Sequence, residues 1–492
     1  MVETVPRLQI APFGAPATHA LSELIGAVKA GDPLRPVTVV MPSALAAVTV
    51  RRALSRHGLV ATELVTLPAL APRLAARRMA ANEQRPIGSL EARLRVRAAL
   101  AGRSGRLSDL SHHPATLAAL VDTFSELRPL TEGELAALAA GSRRAFEVVD
   151  LYRAFRGEVA DRADDHDVLA AAAEAVRTGD KLLEEIGEVI VHLPRRLGRA
   201  DVELLRALAA RGRLWAIVGD EQNAAELAPF LGAPSDVMPG ARASVEARIL
   251  RAPDPAEEAR IAVRVTLEHL RGGAPADRIA IVSRVSDPYA LLIHEELAAV
   301  GIEHSAPSPL QLAQSIAGRT LLGLLAWPAN GHRRDELMRL LRCAPVRDPA
   351  GGSTHPDRWD RLARRAGVVA GLDQWHRRLD EAKRERLERA TAPIAAAGAP
   401  TLPFDGEQHD ATSRIVELDA LDSFVERLAA ATDPGGRKGW RSLSRWAEGL
   451  LVRHLGNEAV AATWSEADRR ARAAVIDVLH ELAQLEGIGP AV

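Results

Sequence analysis

The segment Ala11-Pro12-Phe13-Gly14-Ala15-Pro16-Ala17-Thr18 lies where an apolar run, Leu8 to Ala11, enters a Gly/Pro turn and a helical pattern leaves it. A strand, a glycine-bearing loop and a helix in that order can hold phosphate. Backbone N–H groups cradle the oxygens, a lysine reaches the β and γ phosphates, and a Ser or Thr hydroxyl binds Mg²⁺. Gly14 and Thr18 stand at the places of the glycine and the hydroxyl, but Ala17 stands where the lysine is required. On this stretch alone an ordinary strand–turn–helix is the simpler reading.

Other reactive residue types are placed less tellingly. Ser111-His112-His113-Pro114 puts two histidines at a helix entrance, which rarely makes a metal site. Asp161-Arg-Ala-Asp-Asp-His-Asp167 has acids enough for a cation, but it precedes the apolar helical pattern Val168 to Val176. Carboxylates there cap a helix start and suit its dipole. The single cysteine, Cys343, follows Leu340-Leu341-Arg342 and is expected in or near a core; it excludes a disulfide framework and a cysteine-held zinc or iron–sulfur centre within this chain. No metal site and no catalytic residue is assigned.

The elements that must position the loop follow from periodicity. Leu8 to Ala11, Val37 to Met41 (entered from Arg35-Pro36) and Leu64 to Leu67 are strand-like, and Leu21 to Ala30 and Leu45 to His57 have helical spacing. This β-α-β-α order predicts a parallel sheet covered by helices. From about Arg85 to Glu185 the pattern is helical, an insertion. The sheet pattern resumes with Glu188 to His192, a helix over Asp201 to Ala210, and Leu214 to Val218 ending at Gly219-Asp220. A second α/β unit opens on Asp254-Pro-Ala-Glu257, an N-cap followed by a first-turn proline. Ile279 to Val282 and Ile302 to Ser305 are its expected strands, around a helix over Pro288 to Val300. Beyond about Gln311 the pattern is helical, broken by loops at Asp348 to Pro356 and Pro393 to Asp410.

Composition sets the bounds. The chain has 492 residues, 47% of them hydrophobic and 26% charged, which predicts a folded protein of several domains. A net charge of -1 argues against a generally basic nucleic-acid binder but permits a local basic groove. Arginine clusters recur at Arg73 to Arg85, at Arg195-Arg196-Arg199 and at Arg333-Arg334, and planar guanidinium groups suit phosphates. No uncharged apolar run approaches the roughly 18 residues of a membrane span, and the start lacks a secretion signal, so a cytoplasmic location without membrane contact is expected.

Taken in order, these stretches resemble the UvrD-like superfamily 1 helicases. Their phosphate loop, Gly-Pro-Pro-Gly-Thr-Gly-Lys-Thr, lies over residues 11–18, with Pro12, Gly14 and Thr18 matching. Their strand ending in Asp-Glu-x-Gln-Asp lies over Val189-Ile190-Val191 followed by His192-Leu193-Pro194-Arg195-Arg196, so His192 and Leu193 take the places of the metal-binding acids. Their Val-Gly-Asp with a nearby glutamine lies over Val218-Gly219-Asp220-Glu221-Gln222. Arg278-Ile-Ala-Ile-Val-Ser-Arg284, with Leu291 to Leu297 and Gly301-Ile302, is similar to the segment whose arginine, here Arg284, reaches the nucleotide. Glu91 to Leu100, Ser125-Glu-Leu-Arg128, Trp359 to Trp375 and Trp440 to Leu455 resemble the N-terminal portions of AddB-like and RecB-family helicase–nuclease proteins. No PD-(D/E)XK nuclease segment lies within the 492 residues.

The resemblance implies an α/β fold of two RecA-like (P-loop NTPase) lobes with parallel sheets, each carrying a helical insertion. The expected division is residues 1–85 and 186–245 (first lobe), 86–185 (insertion), 246–325 (second lobe) and 326–492 (helical). It implies a vestigial nucleotide site of Gly14, Thr18, Gln222 and Arg284, with no cofactor unless ATP and Mg²⁺ still bind. It implies DNA contacts from Ser43 and Thr66, and an active helicase or nuclease partner subunit. Two alternatives stand beside this scaffold reading: a divergent nucleotide hydrolase using Gly14, Thr18 and Gln222, and an interaction module without DNA contact.

Overall fold

The computed structural model describes residues 6–55, 59–101, 103, 107–179, 181–237, 247–306, 311–391 and 405–488. The chain divides into two units, Met1–Ala247 and Arg248–Gly487.

The first unit is an α/β structure built on a six-stranded parallel sheet. In chain order it holds β1 (Leu8–Ile10), α1 (Ala15–Val28), β2 (Val37–Met41), α2 (Ala44–Leu54), β3 (Thr62–Thr66), α3 (Leu67–Ala81), β4 (Arg85–Pro86), α4 (Ser89–Ala101), α5 (Pro114–Leu127), α6 (Glu132–Ala140) and α7 (Arg143–Glu158). There follow β5 (Arg162–Ala163), α8 (Asp165–Thr178), α9 (Leu182–Ile186), β6 (Glu188–His192), α10 (Arg199–Ala210), β7 (Leu214–Val218), α11 (Glu221–Leu231) and β8 (Ser235–Asp236). The sheet order is β3-β2-β6-β7-β1-β8. Its central strands are continuous apolar runs, as burial on both faces requires; all five residues of β2 are buried.

Each face of the sheet has its own core. On one face α1 and α2 pack Ala17, Leu21, Leu24 and Val50 against Val37, Val39 and Ile190. On the other, Leu70, Leu74, Val176, Leu204 and Leu208 of α3, α8 and α10 cover Val40, Val189 and Val191. Fully burying one such side chain contributes roughly 1.5–3 kcal/mol. One glycine is imposed by the fold: Gly187, before β6, has φ 69°, and a Cβ there falls 2.0 Å from the Pro36 carbonyl oxygen.

Between α3 and α8 the chain forms a helical module, α4 to α7, with a separate core around Val96, Leu100, Phe124, Val149, Tyr152 and Phe155. A two-residue parallel ladder, β4 with β5, joins its two ends. Asp164 and Asp167 form a capping box on α8, and their free oxygens take Arg128 and Arg156 from the module. These acids are a cap, as their place before Val168 predicts.

The second unit is helical: α12 (Pro255–Arg271), α13 (Tyr289–Ala299), α14 (Ile316–Ala329), α15 (Arg334–Cys343), α16 (Pro356–Arg365), α17 (Leu372–Thr391), α18 (Asp405–Thr432), α19 (Trp440–Leu455), α20 (Glu458–Ala461) and α21 (Glu466–Gln484). Asp254 caps α12, its Oδ1 accepting from the Glu257 N–H at 2.8 Å. A core around Trp327, Trp359, Trp375 and Phe424 joins α14 to α18. Cys343, expected in a core, is exposed, because it ends α15 away from the buried Leu337, Leu340 and Leu341. The expected strands Ile279–Val282 and Ile302–Ser305 pair with no strand among the described residues. Their sequences favour extension, but a strand needs a ladder, and none forms with a described segment.

Candidate functional site

Because every neighbouring pair in the large sheet is parallel, the loops after β1, β2, β3, β6 and β7 emerge at one edge. The helix after β1 packs on one face and those after β6 and β7 on the other. The crevice between β1 and β7 is therefore a topological switch point, the place where open α/β sheets bind ligands.

The loop after β1 fills one side of it. Gly14 is exposed and caps α1 with φ 94° and ψ -135°, a conformation open to glycine and strained for other residues. Four of the eight positions from Ala11 to Thr18 offer no free N–H to a phosphate. Pro12 and Pro16 have no N–H, that of Ala11 is spent on the Val218 carbonyl at 2.9 Å, and that of Thr18 on the Gly14 carbonyl at 3.1 Å. The Thr18 hydroxyl turns back and donates to the same Gly14 carbonyl at 3.0 Å. Phe13 lies against the loop after β7: a Cβ on Gly219 falls 2.3 Å from the Phe13 ring carbon Cζ.

Ala17 does not face the crevice. It is 0% exposed, packed in the core beneath α1. Its carbonyl meets Nε2 of His192, 3.3 Å away at the end of β6. Since a carbonyl only accepts, Nε2 carries the proton, and Nδ1 is buried without a partner among the described residues. Burial holds this imidazole below its ordinary value, with the bond to Ala17 opposing. Thus positions 17 and 192, 175 residues apart in sequence and the places where the resemblance expects a lysine and an acid, meet through one buried, uncharged hydrogen bond. Leu193, the next residue, has φ 47° and packs into the same core.

The remaining sequence-derived candidates divide by place. Asp220 caps α11 through Asn223 (2.8 Å), and Asn223 in turn donates to the Pro194 carbonyl at 3.2 Å, tying the loops after β6 and β7 together. Gln222 is exposed on the first turn of α11. Ser43 caps α2, its hydroxyl accepting from the Ala46 N–H at 3.1 Å. Thr66 precedes α3, half-buried and without a side-chain cap bond. Gly14, Thr18, Ser43, Thr66 and Gln222 therefore share the carboxyl edge of one sheet, whereas Arg284 belongs to the second unit and is exposed. Arg195 and Arg196, on the loop after β6, are exposed and form no ion pair with a described residue. By contrast Arg334 is bound to Asp360 at 2.6 Å and Arg333 to Asp335 at 3.1 Å, so both arginines are paired within the second unit.

Sequence reasoning missed the Ala17–His192 contact, the close approach of Phe13 to Gly219 and the Asn223 tie, all long-range. Only the apolar character of position 17 hinted at the first. Among the described residues no group of three or more His, Cys, Asp or Glu is placed to hold a metal ion, and no helix is long and apolar enough to cross a membrane. Comparison with models of protein families, and with curated proteins, returns no match for the chain.

Proposed function

We propose that this chain is a DNA-guiding scaffold of a helicase–nuclease complex that processes broken DNA ends, with a P-loop-type site that does not turn over ATP. The observation carrying this reading is the Ala17–His192 joint. A switch-point loop of phosphate-binding form sits at the right edge of the sheet, yet the lysine position is core and the acid position is a buried neutral imidazole. Losing such groups costs several kcal/mol of transition-state stabilisation. On this reading the first unit is a RecA-like lobe, and residues 246–325 belong to a second.

A strand-guiding role is supported by the same edge. Ser43 and Thr66 lie at that edge, as do Arg195 and Arg196, which are exposed and form no ion pair with a described residue. Two tests decide the matter. Calorimetry should find no tight Mg-ATP binding, and a micromolar dissociation constant weakened by Arg284→Ala refutes the inactive-site reading. Anisotropy with a labelled single strand should find weak, salt-dependent binding of slight sequence preference, because backbone contacts position a strand without reading bases. Absence of binding at low salt, with and without the partner subunit, refutes the strand-guiding reading and leaves an interaction module.

A further inference from the structure

Residues 248–305 of the second unit contain a strand-like segment that forms no ladder among the described residues. Arg278-Ile-Ala-Ile-Val-Ser283 has the composition of a strand buried on both faces. Ile279 has extended backbone (φ -109°, ψ 132°), and residues 279–283 form no helix, turn or bend. Burial alternates along it: Ile279 and Ile281 are half-buried, while Ala280 and Val282 face outward, Val282 at 89% exposure. None of the backbone N–H and C=O groups from Ala280 to Val285 has a hydrogen-bond partner among the described residues. A groove of about 620 Å³ runs beside it, lined by Leu250, Ile261, Val265, Ile279, Ile281 and Val282. Ile249 and Leu250, on a preceding segment that joins no ladder among the described residues, are exposed as well, at 91% and 61%.

The chemistry of this surface selects its occupant. A helix or a lipid covers apolar side chains but leaves a row of ladder donors and acceptors unpaired; only a second extended backbone satisfies both. A second copy of the same strand is a poor match. Antiparallel self-pairing about Ile281 sets Arg278 opposite Arg284 at both ends, and like charges directly opposite destabilise a ladder. Both arginines are exposed and make no ion pair with a described residue. We propose that Arg278–Ser283 is an acceptor strand, completed in trans by an extended polypeptide segment of a protein partner that is apolar at alternate positions and acidic at both ends. This is β-strand addition, with backbone hydrogen bonds giving affinity and the flanking charges giving register. It stands independently of the ATP and DNA readings.

The test is amide hydrogen exchange on the full chain with a short peptide of alternating valine and threonine bounded by glutamates, and its lysine-bounded counterpart. In the free chain the amides of residues 280–285 should exchange rapidly. The glutamate peptide should protect them and the lysine peptide should bind roughly five- to tenfold more weakly. The double variant Arg278→Glu/Arg284→Glu, on exposed side chains, should invert that preference. Protection already present in the free chain, protection that grows with chain concentration alone (a second copy), no protection by either peptide, or a preference that ignores the charge swap each overturns the proposal.

Discussion

Restoring the missing lysine should damage the protein rather than revive it. The Ala17 side chain is 0% exposed and packs between α1 and the sheet, with His192 against its backbone. Ala17→Lys forces an ammonium and its stem into that core. Holding a lysine neutral at pH 7 costs about 1.4 kcal/mol for each of the three or so units between 7 and its ordinary value near 10.4, roughly 4–5 kcal/mol. Overpacking adds about 1–3 kcal/mol. The total, on the order of 5–8 kcal/mol, rivals the 5–15 kcal/mol that holds a typical domain together. For a unit of this size the melting temperature should fall by on the order of 10–30 °C, or the variant should be insoluble. Scanning calorimetry measures the loss, and isothermal titration with Mg-ATP should detect no gain in binding. An unchanged melting temperature together with new micromolar ATP affinity refutes the reasoning: position 17 would then open onto the crevice and the loop would be one substitution from binding ATP.

Three further outcomes are expected. The folded-state value of His192 lies below the ordinary 6.5 or so, so the unfolded chain takes up the proton first. Its stabilising contribution is whole above about pH 6.5 and is lost as pH falls from there toward the folded value, by at most about 1.4 kcal/mol per unit. His192→Gln, which keeps an N–H for the Ala17 carbonyl, should flatten this part of the profile in urea titrations at about pH 7.5 and about pH 5.5; an unaltered difference refutes the assignment. Single-strand binding should show a slope of log affinity against log salt of magnitude roughly 2 to 5, and Arg195→Ala/Arg196→Ala should reduce it by about 1.4 in an anisotropy salt series. Gly187→Ala should cost about 3 kcal/mol or more in chemical denaturation, because its Cβ meets the Pro36 carbonyl at 2.0 Å and its φ is 69°.

Much of the first unit was legible because its strands are closed apolar runs bounded by breakers. Val37–Met41 follows Arg35-Pro36 and begins and ends where the pattern says, and Glu188–His192 and Leu214–Val218 are equally plain. The two-residue strands β4, β5 and β8 have no period to read, and their pairing is decided by distant chain. The Ser43, Asp164, Asp220 and Asp254 caps are local chemistry, and the latter three each bond an N–H three residues on at 2.8 to 2.9 Å. What the sequence could not reveal was non-local. The burial of Ala17 depends on a histidine from another strand, and the strand-like Ile279–Val282 has every local quality of a strand but no neighbour among the described residues. Part of the loop expected over Pro393 to Asp410 lies outside the described residues.

The small ladder between β4 and β5 has a consequence for how this chain tolerates change. Arg85 and Pro86 sit opposite Arg162 and Ala163, and the Ile87 N–H bonds to the Ala163 carbonyl at 2.9 Å, so the chain departs from and returns to the sheet through one doorway. The two ends stand about 5 Å apart, the spacing of neighbouring strands. Everything between them, α4 to α7, carries its own core and draws little from the sheet's. That makes the module a detachable graft. A few residues can bridge the doorway, and lengthening or shortening what hangs from it changes the closure cost only logarithmically. Excision exposes Asp164 and Asp167, stripped of Arg128 and Arg156, on the first turn of α8, where a carboxylate is at ease with the helix dipole. The doorway thus confines a change in the module's size or surface to the module, while the sheet's own cores keep their contacts.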